Sequence, residues 1–332
     1  MPELRWGPLR RRWVIVAPER GKRPSDFRAP ASSPANNPDA CPFCPGNEHL
    51  TPPEIARLPG PEGGWRVRVV PNKFPALSPG PPREPPGGEF FQRAPGLGAH
   101  EVVIDSPDHH RDLDELPLEQ VRSVVDMYLR RLAALSSDPR FCYVQLFKNH
   151  GREAGASLSH PHTQIIATPV LPPEAEARLT AARDFHSAHG QCLVCELARR
   201  ELEAGKRVVM NGEHFLLLSP YDARGPFELL ILPREHESHF TRLSQPAAFA
   251  HTLREALSRL RTLLGDVPYN FVLYTAPQGP DWPGVEAWYH WHLEIIPRLT
   301  KLAGFEWGTG MFINPMPPEL AAEYLREAKS GG

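Results

Sequence analysis

The chain alternates short apolar runs of strand length with longer stretches of helical period. Residues 13–17 (WVIVA), 101–105 (EVVID), 141–147 (FCYVQLF) and 162–168 read as strands. Residues 117–136 begin at a proline and carry apolar side chains at Val121, Val124, Val125, Tyr128, Leu129 and Leu132. That spacing predicts an amphipathic helix. Residues 172–187 and 194–204 predict two more helices, which divide the chain into halves. The second half predicts strands near 207–210, 215–218 and 227–232, a helix at 245–264, strands at 269–275 and 289–296, and a helix near 317–328. The longest apolar runs, such as Leu229 to Leu232, fall far short of the ~20 residues a bilayer requires. No apolar stretch follows the basic segment Met1–Arg12, so neither export nor a membrane partner is expected.

The same order of features occurs twice. The first half has CPFC (41–44), Pro107-Asp108-His109, FCYVQLF, then HPHTQII (160–166). The second half has CLVC (192–195), Pro233 to His236, YNFVLYT, then HWHLEII (290–296). Long-range histidines recurring in one order point to a duplicated unit rather than to coincidence. The expected fold class is α+β, with two tandem units over residues 1–171 and 172–332, each an antiparallel sheet with packing helices.

Composition narrows the chemistry. The 332 residues hold Lys+Arg 37 and Asp+Glu 39, a net charge of −2, which gives no basic face for nucleic acid. Only five cysteines are present, and four of them form the two C-x-x-C pairs. An odd count in so long a chain does not read as a disulfide framework, and a reducing, cytoplasmic setting is expected. The 40 prolines far exceed the usual ~5% and stiffen the loops at 24–38 and 75–97.

Each half offers four ligands for a tetrahedral ion: Cys41, Cys44, His109 and His160, then Cys192, Cys195, His236 and His290. Two Zn²⁺ per chain are expected. A single C-x-x-C has an ordinary reading as two buried small residues, and the duplicated set is what favours metal. His49, His110 and His239 compete for the histidine positions, while Cys142 reads as core.

The densest polar stretch runs from Asn149 to Gln164. Gly151 and Gly155 permit close backbone approach to an anion. In the strand that follows, residues 160, 162 and 164 share one face. A metal-bound His160 would anchor that strand and hold His162 toward a pocket. Neutral His162 would attack phosphorus to give a phosphoramidate, with Gln164 and Ser157 donating to the phosphoryl oxygens. The competing reading makes His162 a metal ligand or an ordinary surface histidine.

This stretch resembles the active site of the galactose-1-phosphate uridylyltransferase family, within the histidine-triad superfamily. The resemblance implies that His162 is the nucleophile, carrying uridine monophosphate between UDP-glucose and galactose 1-phosphate in a ping-pong cycle. It further implies that Arg20 and Arg23 contact substrate phosphates, and that Asn72 and Phe74 lie in a uridine-binding segment. It makes His109 a metal ligand, as the spacing does. Asn149, in the stretch Phe147 to Gly151, would meet the nucleotide phosphates, and Glu306 and Asn314 would reach a sugar site. A homodimer is implied, in which one subunit completes the sugar site of the other. The run Phe305 to Gly310 followed by Ile313-Asn314-Pro315 is closer to a sister branch of ADP-glucose phosphorylases, in which phosphate is the acceptor. Pro161 matches the transferases instead. A third reading is a two-zinc nucleotide-binding module without activity.

The second H-x-H departs from the first. Glu294 stands where Gln164 does, placing a carboxylate where an anionic substrate would be repelled. A structural role is expected for His290, with His292 left open.

Overall fold

The computed structural model describes residues 2–18, 27, 38–60, 63–80, 90, 94–277 and 282–328. Its elements follow the apolar pattern closely. The first half holds β1 (Glu3–Gly7), β2 (Arg12–Val16), β3 (Ala56–Pro59), β4 (Trp65–Pro71), β5 (Ala99–Ile104), α1 (Leu118–Ser136), β6 (Tyr143–His150) and β7 (His162–Thr168). Helices α2 (Pro173–His189) and α3 (Leu193–Ala204) follow. The second half holds β8 (Val208–Asn211), β9 (Phe215–Leu218), β10 (Leu229–Pro233), α4 (Pro246–Leu264), β11 (Tyr269–Tyr274), α5 (Val285–Trp288) and β12 (His292–Pro297). Then come α6 (Gly304–Thr309), β13 (Phe312–Asn314) and α7 (Pro318–Glu327). Part of the proline excess is accounted for here: α2, α4 and α7 each carry a proline in the first turn, where no N–H is needed.

The two units do not keep separate sheets. Ten strands form one antiparallel sheet in the order β3-β4-β5-β7-β6-β11-β12-β10-β9-β8. The halves meet at the β6–β11 seam, where Tyr269 faces His150 and Leu273 faces Leu146. On either side the order is repeated: β6-β7-β5 in one direction, β11-β12-β10 in the other. A small second sheet, β1-β2-β13, pairs β13 parallel to β2.

One face of the large sheet is covered by α1 and α4, which pack against each other and share a core with both halves. In α1 the predicted face is the buried one: Val121, Val124, Val125, Tyr128 and Leu132 are all enclosed. The opposite face differs between the halves. In the second half it is also covered, so β9 (FLLL) is apolar at every position. Phe215 and Leu217 join the α4 side, while Leu216 and Leu218 pack with Leu193 and Val194 of α3. In the first half the corresponding face keeps half-buried polar positions such as His100 and Gln164.

That cover fills the second H-x-H pocket. Glu294 is fully buried and receives Arg10 Nε at 3.0 Å, Arg178 Nη2 at 3.0 Å and Arg224 Nη2 at 2.6 Å. Arg10 also meets Glu228 at 2.7 Å. Burial alone would raise the Glu294 carboxyl, but the three guanidiniums hold it well below the usual carboxylate range. His292 is enclosed beside it, its ring stacked on Tyr274 at 5.2 Å, and burial lowers its pKa to about 3. Arg178 in turn lies 3.8 Å over the Tyr274 ring. The position left open by sequence is therefore enclosed, with the protein's own side chains against it.

Removing the carboxylate would leave three guanidiniums against too little negative charge. Glu294→Ala is expected to destabilise the protein by about 3–5 kcal/mol. A urea unfolding curve reads this as a lowered midpoint.

Candidate functional site

The first C-x-x-C lies in a turn before β3, and its thiols face two distant imidazoles. Cys44 Sγ is 3.2 Å from His109 Nδ1 and 3.6 Å from His160 Nδ1, and Cys41 Sγ is 3.7 Å from His160 Nδ1. In the second half, Cys195 Sγ lies 3.4 Å from both His236 Nδ1 and His290 Nδ1. Within each set of four, the donor atoms all lie within 4.8 Å of one another. A tetrahedral ion with bonds of about 2.3 Å to sulfur and 2.0 Å to nitrogen separates such atoms by about 3.6 Å. Both sets therefore fit one ion each. In three of the four histidines the remote ring nitrogen has a hydrogen-bond partner, as metal-ligating histidines require, while His290 Nε2 is buried without one among the described residues. His160 Nε2 donates to the Ser106 carbonyl and His236 Nε2 to the Glu286 carbonyl, both at 2.8 Å. Hydrogen bonding from Cys195, with further bonds from His236 and His290, holds the Cys192 thiol far below its ordinary pKa. His49, His110, His239 and Cys142 belong to neither set.

From the first set the chain passes directly into β7. His160 is fully buried at the metal corner and His162 opens the strand, 6% exposed. His162 Nδ1 donates to the His160 carbonyl at 2.9 Å, which leaves the Nε2 lone pair free. Burial lowers the His162 pKa to about 4, and nearby Lys148 adds to the effect, so the ring is neutral at pH 7. Phe43, from inside the C-x-x-C turn, packs edge-on to both rings, 5.4 Å from His162 and 6.0 Å from His160. Together these contacts give a neutral imidazole of fixed tautomer on a strand that starts at a candidate metal site.

Beneath this strand, on the α1 side, lies a buried ionic cluster. Lys148 Nζ bonds Asp105 at 2.8 Å and Asp112 at 3.0 Å, and reaches the His162 carbonyl at 3.3 Å. Thr163 Oγ1 donates to Asp105 and meets the Tyr128 hydroxyl at 2.6 Å. His150 continues the cluster, 2.7 Å from both Asp112 and Asp266 and stacked on Tyr269. Burial pulls its pKa down, but hydrogen bonds to Asp112 and Asp266 raise it to about 9.

Other expected substrate residues fall into three groups. Gln164 shares the His162 face of β7, and its Oε1 lies 2.8 Å from His100 Nε2. The same ring is 3.1 Å from Asn72 Nδ2, and Phe74 stands beside it 84% exposed. Asn149 Oδ1 accepts from Asn270 Nδ2 at 2.8 Å across the seam, leaving its own amide donors for an anion. Gly151 (φ 79°) and Gly155 (φ 95°) adopt backbone angles that other residues rarely take, in the turn that carries exposed Ser157. Asn314 is used elsewhere: it is fully buried, donating to the Ala223 carbonyl at 3.0 Å and accepting from Met316 N–H at 2.9 Å. Glu306 closes the start of its own helix through Ala303 N–H at 2.9 Å, and α6 packs on β13 of the small sheet. Within the chain, neither is brought into contact with His162. Arg20 and Arg23 lie outside the described residues.

Sequence reasoning missed His100, Phe43 and the Asp105–Lys148–Asp112 cluster. The signal for Lys148 was there: in YVQLFKNH it shares the parity of Val144 and Leu146, a core face on which a lysine needs buried partners. A cavity of about 410 Å³ between the β1–β2 hairpin and α3 is lined by Trp6, Leu9, Phe185, Leu193, Leu197 and Tyr221 among others. Segments of both halves line it, and none of the residues around His162 does.

The comparisons with known proteins bear on this geometry. Residues 1–172 match the family described as galactose-1-phosphate uridyl transferase, N-terminal domain, and residues 178–321 match its C-terminal domain. The chain belongs to the galactose-1-phosphate uridylyltransferase family. It is therefore an enzyme of the nucleotidyltransferase kind, with the α+β fold of that family. An ADP-glucose phosphorylase of Arabidopsis thaliana is 36% identical, covering 98% of this chain and 93% of its own length. A galactose-1-phosphate uridylyltransferase of Thermotoga maritima is 34% identical, covering 99% of both. Among solved structures, the Arabidopsis phosphorylase with bound ADP-glucose superposes with a TM-score of 0.83 at 34% identity, covering 98% of each chain. A uridylyltransferase structure gives 0.74 at 30% identity, covering 99% of this chain and 98% of its own. Among the described residues no helix is long and apolar enough to cross a membrane.

Two outcomes are expected. Elemental analysis should find two metal ions per chain, and Cys41→Ser should lose one of them while the Cys192 set keeps its own. His150 has a raised pKa, so its stabilising contribution is complete below its ordinary value of 6.5 and is lost as pH rises through about 9. His150→Asn should therefore lower the urea midpoint at pH 6, and the gap from wild type should shrink by pH 10.

Proposed function

We propose that the chain transfers a nucleotidyl group from a nucleotide sugar through a covalent intermediate on His162. The observation that carries this is the His162 ring: neutral, with Nδ1 committed to the His160 carbonyl and Nε2 available. Nε2 attacks the phosphorus next to the nucleoside. A P–N bond forms as the P–O bond to the sugar 1-phosphate breaks, and the sugar 1-phosphate leaves. An acceptor phosphate oxygen then attacks the same phosphorus, the P–N bond breaks, and the imidazole is restored. Donors from Gln164, Asn149 and Ser157 stabilise the phosphoryl oxygens as charge redistributes. The exposed ring of Phe74 offers a stacking face for the base.

Both metal sets suit zinc, since two thiolates and two imidazoles in a closed tetrahedron leave no open position. The role of a bound ion is structural, fixing the C-x-x-C turn to the sheet and steadying the strand that carries His162. Free thiols in both sets fit a cytoplasmic setting.

Two acceptors are in play. Transfer of UMP from UDP-glucose to galactose 1-phosphate is the activity named for most relatives. It carries with it a homodimer, in which the partner's α6 region reaches the sugar site. Phosphorolysis of ADP-glucose has a specific observation in its favour. Asn314, the residue expected at the sugar, has both ends of its amide engaged inside the protein. The greater likeness to a phosphorylase structure supports the same reading.

The test is intact mass after incubation with UDP-glucose or ADP-glucose and quenching in base. A nucleotidyl adduct is expected, absent in His162→Ala, and its mass names the base. Adding galactose 1-phosphate or inorganic phosphate to the adduct names the acceptor. A folded, metal-loaded protein that forms no adduct with either donor would overturn the proposal.

A further inference from the structure

We infer that His100 is a positioning residue, which fixes the orientation of the Gln164 amide and ties the 72–76 loop to it. The inference rests on the nucleotidyl-transfer reading of His162 and deepens it.

His100 lies on β5, on the face shared with Gln164 of the neighbouring strand β7. Val102 is the direct partner of Gln164, and His100 sits one step along the same face. Its ring has two sides, and each is assigned by its neighbour. Ala76 N–H points at Nδ1 from 3.2 Å, so Nδ1 accepts. In a neutral imidazole the proton then resides on Nε2. Nε2–H donates to Gln164 Oε1 at 2.8 Å.

A carboxamide has one accepting end and one donating end. With Oε1 held by His100, the end of Gln164 left for a ligand is its NH₂. Phosphoryl oxygens are acceptors only, so this orientation suits them and the flipped one would repel them. A glutamine without this partner is free to present either end. His100 thereby makes Gln164 a donor by construction.

The same residue registers a loop. Asn72 N–H donates to the His100 carbonyl at 2.8 Å; with the proton on Nε2, the Asn72 Nδ2 contact at 3.1 Å is donor to donor and adds no hydrogen bond. Asn72 Oδ1 in turn accepts Phe74 N–H at 2.9 Å. The segment that carries exposed Phe74 is therefore fastened at Asn72 and Ala76 to the residue that orients Gln164. Displacement of this loop moves the His100 ring, and through it the Gln164 amide.

The experiment compares wild type with His100→Phe, which keeps a ring and removes both nitrogens, and with His100→Gln, which restores a donor at the Nε2 position. The measurements are the single-turnover rate of adduct formation on His162 with UDP-glucose and ADP-glucose, steady-state kcat and KM, metal content and melting temperature. His100→Phe is expected to slow adduct formation by about 10- to 100-fold, with kcat falling more than KM rises. Metal content should stay at two per chain, and His100→Gln should recover most of the rate. Adduct formation at the wild-type rate in His100→Phe overturns the inference. So does a loss that only tracks a lowered melting temperature or lost metal, or one that His100→Gln does not recover. A wild-type protein that forms no adduct overturns the nucleotidyl-transfer reading itself, and the role of His100 with it.

Discussion

The antiparallel pairing of β6 with β11 is the constraint on which the rest of the molecule depends. It runs from Tyr269–His150 to Leu273–Leu146 and turns two duplicated units into one sheet. Because the two central strands are joined there, α1 and α4 lie side by side over a common core. The pairing also supplies the site directly. Asn270 belongs to the second half, yet it donates to Asn149 Oδ1 and to the Ala154 carbonyl, steadying the polar turn of the first. A seam residue thus orients the Asn149 amide. The surroundings of His162 are a product of both halves, although His162 and the Cys41–His160 set come from one.

Strand alternation then separates two kinds of order on β7. On one face stand buried His162 and half-buried Gln164. On the other, Thr163 and the β6 residue Lys148 lie in a buried ionic cluster with Asp105 and Asp112. Such a cluster is a weak source of net stability, since desolvation offsets much of the attraction. Its value lies in geometry: Lys148 bonds the His162 backbone, so the proposed nucleophile is held from below as well as from the side of the Cys41–His160 set.

Much of this could be read from the sequence, and the limits have physical causes. Long periodic helices and H-x-H strands were visible because their burial pattern is local. Strand 162–168 and strand 215–218 emerged with the predicted bounds. The duplicated order of cysteines and histidines revealed both metal sets because ligands are few in type and fixed in number. The merging of two sheets was not visible, since an edge strand and a seam strand share the same alternation. Strands β3 and β4 were missed among prolines and arginines: Arg57 and Arg68 both pair with Glu54, which lets a charged strand fold. His100 was missed because its importance lies in a partner on the next strand. The engagement of the Asn314 amide was hidden for the converse reason, since spacing says where a residue is but not which partners its amide has.

The guanidiniums around Glu294 have a consequence for how the two halves can diverge. The second H-x-H repeats the first, but its surroundings are filled by the protein's own side chains. Here Arg10 comes from the N-terminal hairpin, Arg178 from α2 and Arg224 from the loop before β10, so three remote segments converge on one carboxylate. A substitution at Glu294 is judged by whether those three segments still close on the sheet. In the second half the filled pocket serves cohesion, since it sets how firmly the N-terminal hairpin, α2 and the loop before β10 are held to the sheet.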